Sequence, residues 1–414
     1  MIEVLEILKT RGLFAQCSDA ERLSNLMKEE PVVFYIGIDP TSSSVHIGHM
    51  VPFFAFRHLC NAGHKGIALM GGGTARIGDP SGRTETRKLL SYEELDKNTE
   101  SIAAQIANFI TFDGKSAWIA NNKDWLANLN YIDFLREIGK HFSVNRMLSY
   151  EAYKIRMETG LSFIEFNYQL LQSYDFLELY RRYGCRMQIG GDDQWGNIVS
   201  GADLIRRIEG AEAFALTFPL VNTADGKKMG KTLKGALFLD PAITSPYEFF
   251  QYWRNVHDAD VRRFLLMFTF LPVEEIDKIT ATGKNPNDGK ERLAWEVTSL
   301  IHGKTEADKA AAGAKAAFGS GEDGDRSAMP QAVLPLAKFQ SGYNVVDLFC
   351  DAGLAPSKSE GRRLVEQGGA FVSFGGELKT ISDVAALIGS EYLSGEAELI
   401  LRAGKKRYCL VKTS

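Results

Sequence analysis

Two short patterns carry side chains that can do chemistry together. His46-Ile47-Gly48-His49 sets two imidazoles around a glycine, and Lys228-Met229-Gly230-Lys231-Thr232, about 180 residues further on, sets two lysines around another. Ring N–H and ammonium groups are donors for phosphate oxygens, and a glycine lets a flat group approach the backbone. Each pattern also has a plainer reading. His-x-x-His is half of a metal site or two surface histidines, but no third ligand with suitable spacing follows. The lysine pair is also what a solvated basic loop looks like. Its likeness to an ATPase phosphate loop is superficial, because Asp225 stands where that motif needs its first glycine.

The elements around them follow from local pattern. Val32–Ile38 reads as a buried strand, Asp39–Ser44 as a turn rich in capping residues, and Ile47–Asn61 as a helix stopping at Gly63. A second strand, Gly66–Met70, ends in three glycines. Strand, helix and strand in this order predict a parallel sheet, with the His46 turn where such sheets bind ligands and a helix start offering N–H groups to phosphate. Helical patterns cover Glu93–Phe109, Tyr131–Ser149 and Ser162–Tyr183, and Met187–Ile189 reads as a short strand. In the third helix Tyr168, Gln172 and Asp175 stand at i, i+4 and i+7, a polar stripe that either meets solvent or lines a pocket. From Ser245 the chain turns helical, beginning with a capping box and a proline at Ser245-Pro246-Tyr247-Glu248. Gly319–Asp325 has linker composition, and a compact tail follows. The expected organisation is a Rossmann-type α/β sheet domain over 1–240, a helical domain over 241–318, a linker over 319–342 and a small α+β domain over 343–414.

Composition narrows the function. A net charge of −4 argues against coating nucleic acid by bulk electrostatics, so any RNA contact must be a local basic patch. Apolar residues make up 45% and charged residues 24%, as in soluble proteins, and no apolar run spans a bilayer. The acidic N-terminus is unlike a secretory signal, and five scattered cysteines suggest neither disulfides nor a zinc ribbon. A cytoplasmic location is expected.

Together the His-Ile-Gly-His and Lys-Met-x-Lys-Thr patterns resemble the signature of class I aminoacyl-tRNA synthetases. Gly230 and Thr232 replace two serines of the usual second motif, while both lysines remain. Four further blocks are similar to the bacterial-type tyrosyl enzymes: Tyr35–Thr41, Ile77–Gly82, Tyr168–Asp175 and Gln188–Asn197. Asp175 and the Gln188 block speak against the sister tryptophanyl enzymes. The resemblance implies that Tyr35 and Asp175 bond the tyrosine phenol and that Asp79, Tyr168 and Gln172 hold its ammonium. It sets Gln188 and Gln194 on the tyrosine side too, Gln194 near the carboxylate. Asn122 and Trp125 match another block near that pocket. It places ATP on Gly37, Asp39, His46, Gly48, His49, Gly191, Asp193 and Lys231, with Asp193 at the ribose. Thr41, His46, His49, Lys228, Lys231, Arg83 and Arg87 would act on the phosphates. Arg83 stands where many members carry lysine.

Leu354–Val365 with Gln367–Ala370 resembles a small RNA-binding domain, and its Lys358, Arg362 and Arg363 share a helical face suited to phosphate. The usual Val-Asn-Gly turn of that domain is replaced by Val372-Ser373-Phe374-Gly375-Gly376. The partners implied are L-tyrosine, ATP and tRNA(Tyr), with Mg2+ arriving on ATP and the chain paired as a homodimer. No prosthetic group, protein-held metal, membrane or DNA is implied.

Overall fold

The computed structural model describes residues 3–81, 90–224, 226, 229, 231–232, 235–318, 330–375, 377–395, 397–404 and 407–414. They form two compact units, one running to Thr244 and including Val256–Leu293, the other made of Ser245–Asn255 and Ala294–Ser414.

The first unit is built on six strands: β1 (Gln16–Cys17), β2 (Val33–Ile38), β3 (Lys65–Met70), β4 (Ala117–Asn121), β5 (Cys185–Gly191) and β6 (Phe214–Phe218). Their order is β1-β6-β5-β2-β3-β4. β2 to β6 run parallel, as the sequence predicts. The short β1 adds an antiparallel edge, with Gln16 opposite Thr217; two residues are too few to leave a periodic signal. Phe34, Tyr35, Ile67, Ala68 and Leu69 are all buried, the near-continuous apolar run expected of a strand covered on both faces. β2 has β3 on one side and β5 on the other, so the winding reverses there and a crevice opens beyond their carboxyl ends.

Two helices position the site. Met50–Asn61 is apolar nearly all round, with Met50, Val51, Phe53, Phe54, Phe56 and Leu59 buried, and Pro52 sits within its first turn, where a missing N–H costs nothing. Phe163–Tyr183 begins in a capping box between Ser162 and Glu165 and ends at Gly184, whose φ of 65° only glycine adopts freely. Tyr131–Ser149, expected as helix, is broken into Tyr131–Glu137, a turn at Gly139–His141 and Val144–Leu148. Extended backbone at Phe142 and Ser143 separates the last two, which a helical periodicity count does not register.

The helices Val261–Phe268 and Val273–Ile279 fall with the sheet unit rather than with the helices that follow. Arg11 secures them: its buried guanidinium donates to the carbonyls of Leu266 at 3.0 Å, Thr269 at 2.9 Å and Leu271 at 2.6 Å. A charged donor thereby satisfies carbonyls that the helix end leaves without internal partners.

In the second unit, helices Pro246–Arg254 and Lys304–Phe318 pack together. The tail sheet has the order β12-β11-β14-β15-β9, from β9 (Gln331–Leu334), β11 (Ala370–Phe374), β12 (Glu377–Ile381), β14 (Glu398–Ala403) and β15 (Arg407–Thr413). A small ribbon joins β10 (Tyr343–Asn344) to β13 (Leu387–Ile388). β9 lies in the stretch expected as linker, yet pairs parallel with β15; a four-residue edge strand whose partner lies near the chain's end has no local signature. Residues 319–329 lie outside the described residues. Gly375, at φ 58°, supplies the left-handed turn between β11 and β12 without the expected asparagine. Among the described residues no helix is long and apolar enough to cross a membrane.

Candidate active site

The crevice between β2 and β5 gathers most of the residues singled out above. At its floor Tyr35 and Gln188 are neighbours in register on β2 and β5. Both are almost fully buried, and among the described residues neither the Tyr35 hydroxyl nor Gln188 Oε1 has a hydrogen-bond partner. Unpaired buried polar atoms cost about 1–3 kcal/mol each, so two of them beside one crevice mark a place for a polar ligand.

Beside them stands Asp175, 2% exposed. The polar stripe of its helix faces inward, so the solvent reading of Tyr168, Gln172 and Asp175 does not hold. Asp175 Oδ1 accepts from Trp125 Nε1 at 2.7 Å and Oδ2 from Asn122 Nδ2 at 2.8 Å. Asn122 is itself fixed, accepting from Gly73 N at 2.7 Å and donating to Thr74 Oγ1 at 2.9 Å. Burial pushes the Asp175 carboxyl up to about 8, against the pull of the Asn122 and Trp125 bonds and with help from the Asp39 charge. Burial and the Asp175 charge likewise hold the Tyr35 phenol well above its ordinary range.

A pH prediction follows. The unfolded aspartate ionises near 4, so the folded chain keeps the extra proton from there to about 8. This group's contribution to stability therefore falls as pH rises through that window. The infrared difference between about pH 6 and about pH 9 should show the loss of one protonated-carboxyl band, absent in Asp175→Ala. A band that persists to high pH, or one equally present in the variant, would contradict the assignment.

A second cluster lies nearer the mouth. The Tyr168 hydroxyl donates to Asp39 Oδ2 at 2.9 Å and Thr74 to Asp39 Oδ1 at 2.7 Å. Asp79 accepts from Ser81 N and from Gln194 Nε2, each at 2.9 Å. Asn197 reaches Gln172 Oε1 at 3.0 Å and Gln194 Oε1 at 3.2 Å. Asp39, expected with the nucleotide, thus meets Tyr168, one of the residues expected to hold the ammonium. Thr74 and Asn197 have no role in the sequence reading. Asn197 sits in the quoted Gln188 block, but nothing in the spacing says that it ties that block to the Phe163–Tyr183 helix.

The two signature patterns are stitched together. Ile47 N donates to Leu237 O and Leu239 N to Val45 O, both at 2.9 Å, around a bridge of His46 with Phe238. Leu237 directly follows the hairpin of β7 (Lys231–Thr232) and β8 (Gly235–Ala236). His46 Nδ1 accepts from Gly48 N at 3.1 Å, which leaves the ring proton on Nε2 as a donor. The His46 and His49 rings stack at 3.7 Å. A narrow, mostly apolar recess of about 50 Å³ opens beside them, lined by Gly48, Val51, Gly191, Phe218, Leu220 and Met229 among others. A flat heterocycle fits this lining. A Cβ on Gly191 would stand 2.5 Å from Asp193 Oδ1, so a side chain there would push that carboxylate aside.

Arg83, Arg87 and Lys228 lie outside the described residues, as does the side chain of Lys231. Gly37 lies near the end of β2, and Thr41 in the loop that follows it. Lys358, Arg362 and Arg363 belong to the other unit, on an exposed helix, Lys358–Glu366.

The family described as "tRNA synthetases class I (W and Y)" matches residues 27–319. The chain belongs to that family. A tyrosine–tRNA ligase of Treponema denticola is 62% identical over 408 residues, 99% of this chain and 98% of that protein. One from Caldanaerobacter subterraneus is 50% identical over 98% of each chain. Among solved structures, a C-terminally truncated mitochondrial tyrosyl-tRNA synthetase of Aspergillus nidulans superposes with a TM-score of 0.70 at 31% identity, covering 77% of this chain and 95% of that one. The fold is thus that of a class I synthetase.

Proposed function

We infer that the chain is a tyrosine–tRNA ligase, activating L-tyrosine with ATP to tyrosyl-adenylate and pyrophosphate and then passing tyrosine to the 3′ end of tRNA(Tyr). The observation that carries this reading is the buried pair of Tyr35, with its unpartnered hydroxyl, and Asp175, held by Asn122 and Trp125. A phenol hydroxyl, donor and acceptor at once, satisfies both. An indole ring brings no oxygen to that place, and phenylalanine brings nothing. Sites built on a substrate hydroxyl reject the analogue lacking it by about 10⁴–10⁵, a rule for which tyrosyl-tRNA synthetases are themselves the standard example.

In this reading Asp79, Tyr168 and Gln172 receive the ammonium, Asp39 supporting Tyr168. The tyrosine carboxylate, already ionised, attacks the α-phosphorus of ATP, and the bond to the pyrophosphate oxygen breaks. No general base is needed, so the rate rests on alignment and on charge neutralisation at the phosphates. Adenine enters the recess beside Gly48 and Gly191, and Asp193 takes the ribose. Thr41, His46 and His49 act on the phosphates from one side, and Lys228, Lys231, Arg83 and Arg87 from the other. Magnesium comes with ATP as part of the substrate. Among the described residues no group of three or more His, Cys, Asp or Glu could hold a metal.

Pyrophosphate exchange run with tyrosine, tryptophan and phenylalanine tests the assignment. Exchange with tyrosine alone is expected; exchange with tryptophan would move the chain to the sister enzymes.

The tail is read as the tRNA-binding domain. Lys358 shares its charge with Asp347 at 2.8 Å and Arg363 more loosely with Glu360 at 4.0 Å, leaving Arg362 and then Arg363 as the stronger phosphate donors. Arg362→Ala with Arg363→Ala should raise the KM for tRNA by about tenfold, lower its salt dependence by about two phosphate contacts and leave exchange untouched. An unchanged tRNA KM would remove the tail from recognition. Cytoplasmic location and a homodimer complete the reading. In support of the dimer, seven large apolar side chains within residues 131–164 are exposed, Ile132 at 69% and Phe163 at 71%.

A further inference from the structure

We propose that Gln105, with Asn98 and Ser101, holds the loop that aims Thr41 and His46 at the phosphates, making these three helix residues positioning residues for adenylate formation. This rests on the function proposed above. Residues 39–45 form neither strand nor helix, so their backbone groups need partners from elsewhere. They find them on one face of the helix Tyr92–Ala107, at positions spaced i, i+3 and i+7. Asn98 Nδ2 donates to Pro40 O at 3.1 Å, and Ser101 Oγ to Ser43 O at 2.8 Å. Gln105 uses both ends of its amide: Nε2 donates to Ser43 O at 3.0 Å, while Oε1 accepts from Val45 N at 3.1 Å and from the Ser44 hydroxyl at 2.9 Å.

The placing of these bonds makes the case. Thr41 lies between the anchored carbonyls of Pro40 and Ser43. His46 lies between Val45, anchored by Gln105, and Ile47, anchored by Leu237. On its other side, Ser44 Oγ accepts from Asp240 N at 3.2 Å, tying the same loop to the segment that follows the lysine hairpin. The loop is thus clamped at both flanks of each phosphate-facing residue, and among the described residues none of the hydrogen bonds made by the Asn98, Ser101 and Gln105 side chains goes to the tyrosine pocket. Misplacing a reacting group by about 1 Å costs on the order of 10²-fold in rate.

The test is single-turnover formation of tyrosyl-adenylate by the full chain, at saturating tyrosine and ATP. Gln105→Ala is expected to slow the first-order step by about 10–100-fold, with tyrosine affinity by equilibrium dialysis within about twofold of wild type. Ser101→Ala, a small change at a half-buried position, should show the same split on a smaller scale. Combining Gln105→Ala with His46→Ala should cost less than the product of the two single effects, because one acts through the other. An unchanged step in Gln105→Ala, a parallel fall in tyrosine affinity, or a fully multiplicative double variant would overturn the proposal. If the wild type itself makes no adenylate from tyrosine, it is the proposed function that fails, not the clamp alone.

Discussion

Asp175→Asn should lower kcat/KM for tyrosine in pyrophosphate exchange by about 10³-fold, although the side chain keeps its size. The reason is the count of donors around it. Asn122 Nδ2 and Trp125 Nε1 each point at a separate Asp175 oxygen. An amide offers one oxygen and one NH2, so one of these donors meets another donor. Asn122 cannot turn over to help, because its oxygen accepts from Gly73 N and its NH2 also serves Thr74. A buried donor left without a partner costs about 1–3 kcal/mol, and the lost bond to the substrate phenol about as much again. At about 1.4 kcal/mol per decade the sum, about 2–6 kcal/mol, is roughly one and a half to four decades. Exchange kinetics beside the melting temperature read it directly. A variant that keeps a tenth of wild-type efficiency would show that the phenol is recognised elsewhere.

His46→Asn should leave tyrosine affinity within about twofold and slow adenylate formation by about 10²–10³-fold, the usual cost of removing one preorganised donor from a developing charge. Asparagine can still accept from Gly48 N, as His46 Nδ1 does at 3.1 Å, so the turn keeps its cap. What it lacks is the reach of Nε2. Single-turnover rates, with tyrosine binding measured separately, distinguish a lost donor from a collapsed turn. Equal losses in both would mean that the ring serves folding instead.

These residues differ in how far the sequence announces them. The His46 turn is legible because strand, turn and helix are consecutive, and each leaves a local pattern. The stripe of Tyr168, Gln172 and Asp175 is legible as a face but not as a direction; burial against β2 and β5 decides it. Thr74, Asn197 and Gln105 are silent, because each acts on a segment far away in sequence, Gln105 on a loop about 60 residues back. Equally silent are β1 and β9, short edge strands whose partners lie about 200 and about 80 residues away. Arg11 reads as an ordinary surface arginine until the three carbonyls it caps are seen.

The stitch between Val45–Ile47 and Leu237–Leu239 also bears on how the chain is made. Translation delivers the His46 turn early, but its backbone partners leave the ribosome only some 190 residues later. Closing so long a loop is a late, non-local event, whereas the strand bearing Tyr35 and the helix bearing Asp175 are already out. The specificity pocket is therefore ready before the nucleotide site. A product cut short before Leu237 has the elements to hold an amino acid but not the turn needed to spend ATP on it. Truncated chains in the cell would compete for tyrosine at most, without draining nucleotide into adenylate that no finished enzyme could use.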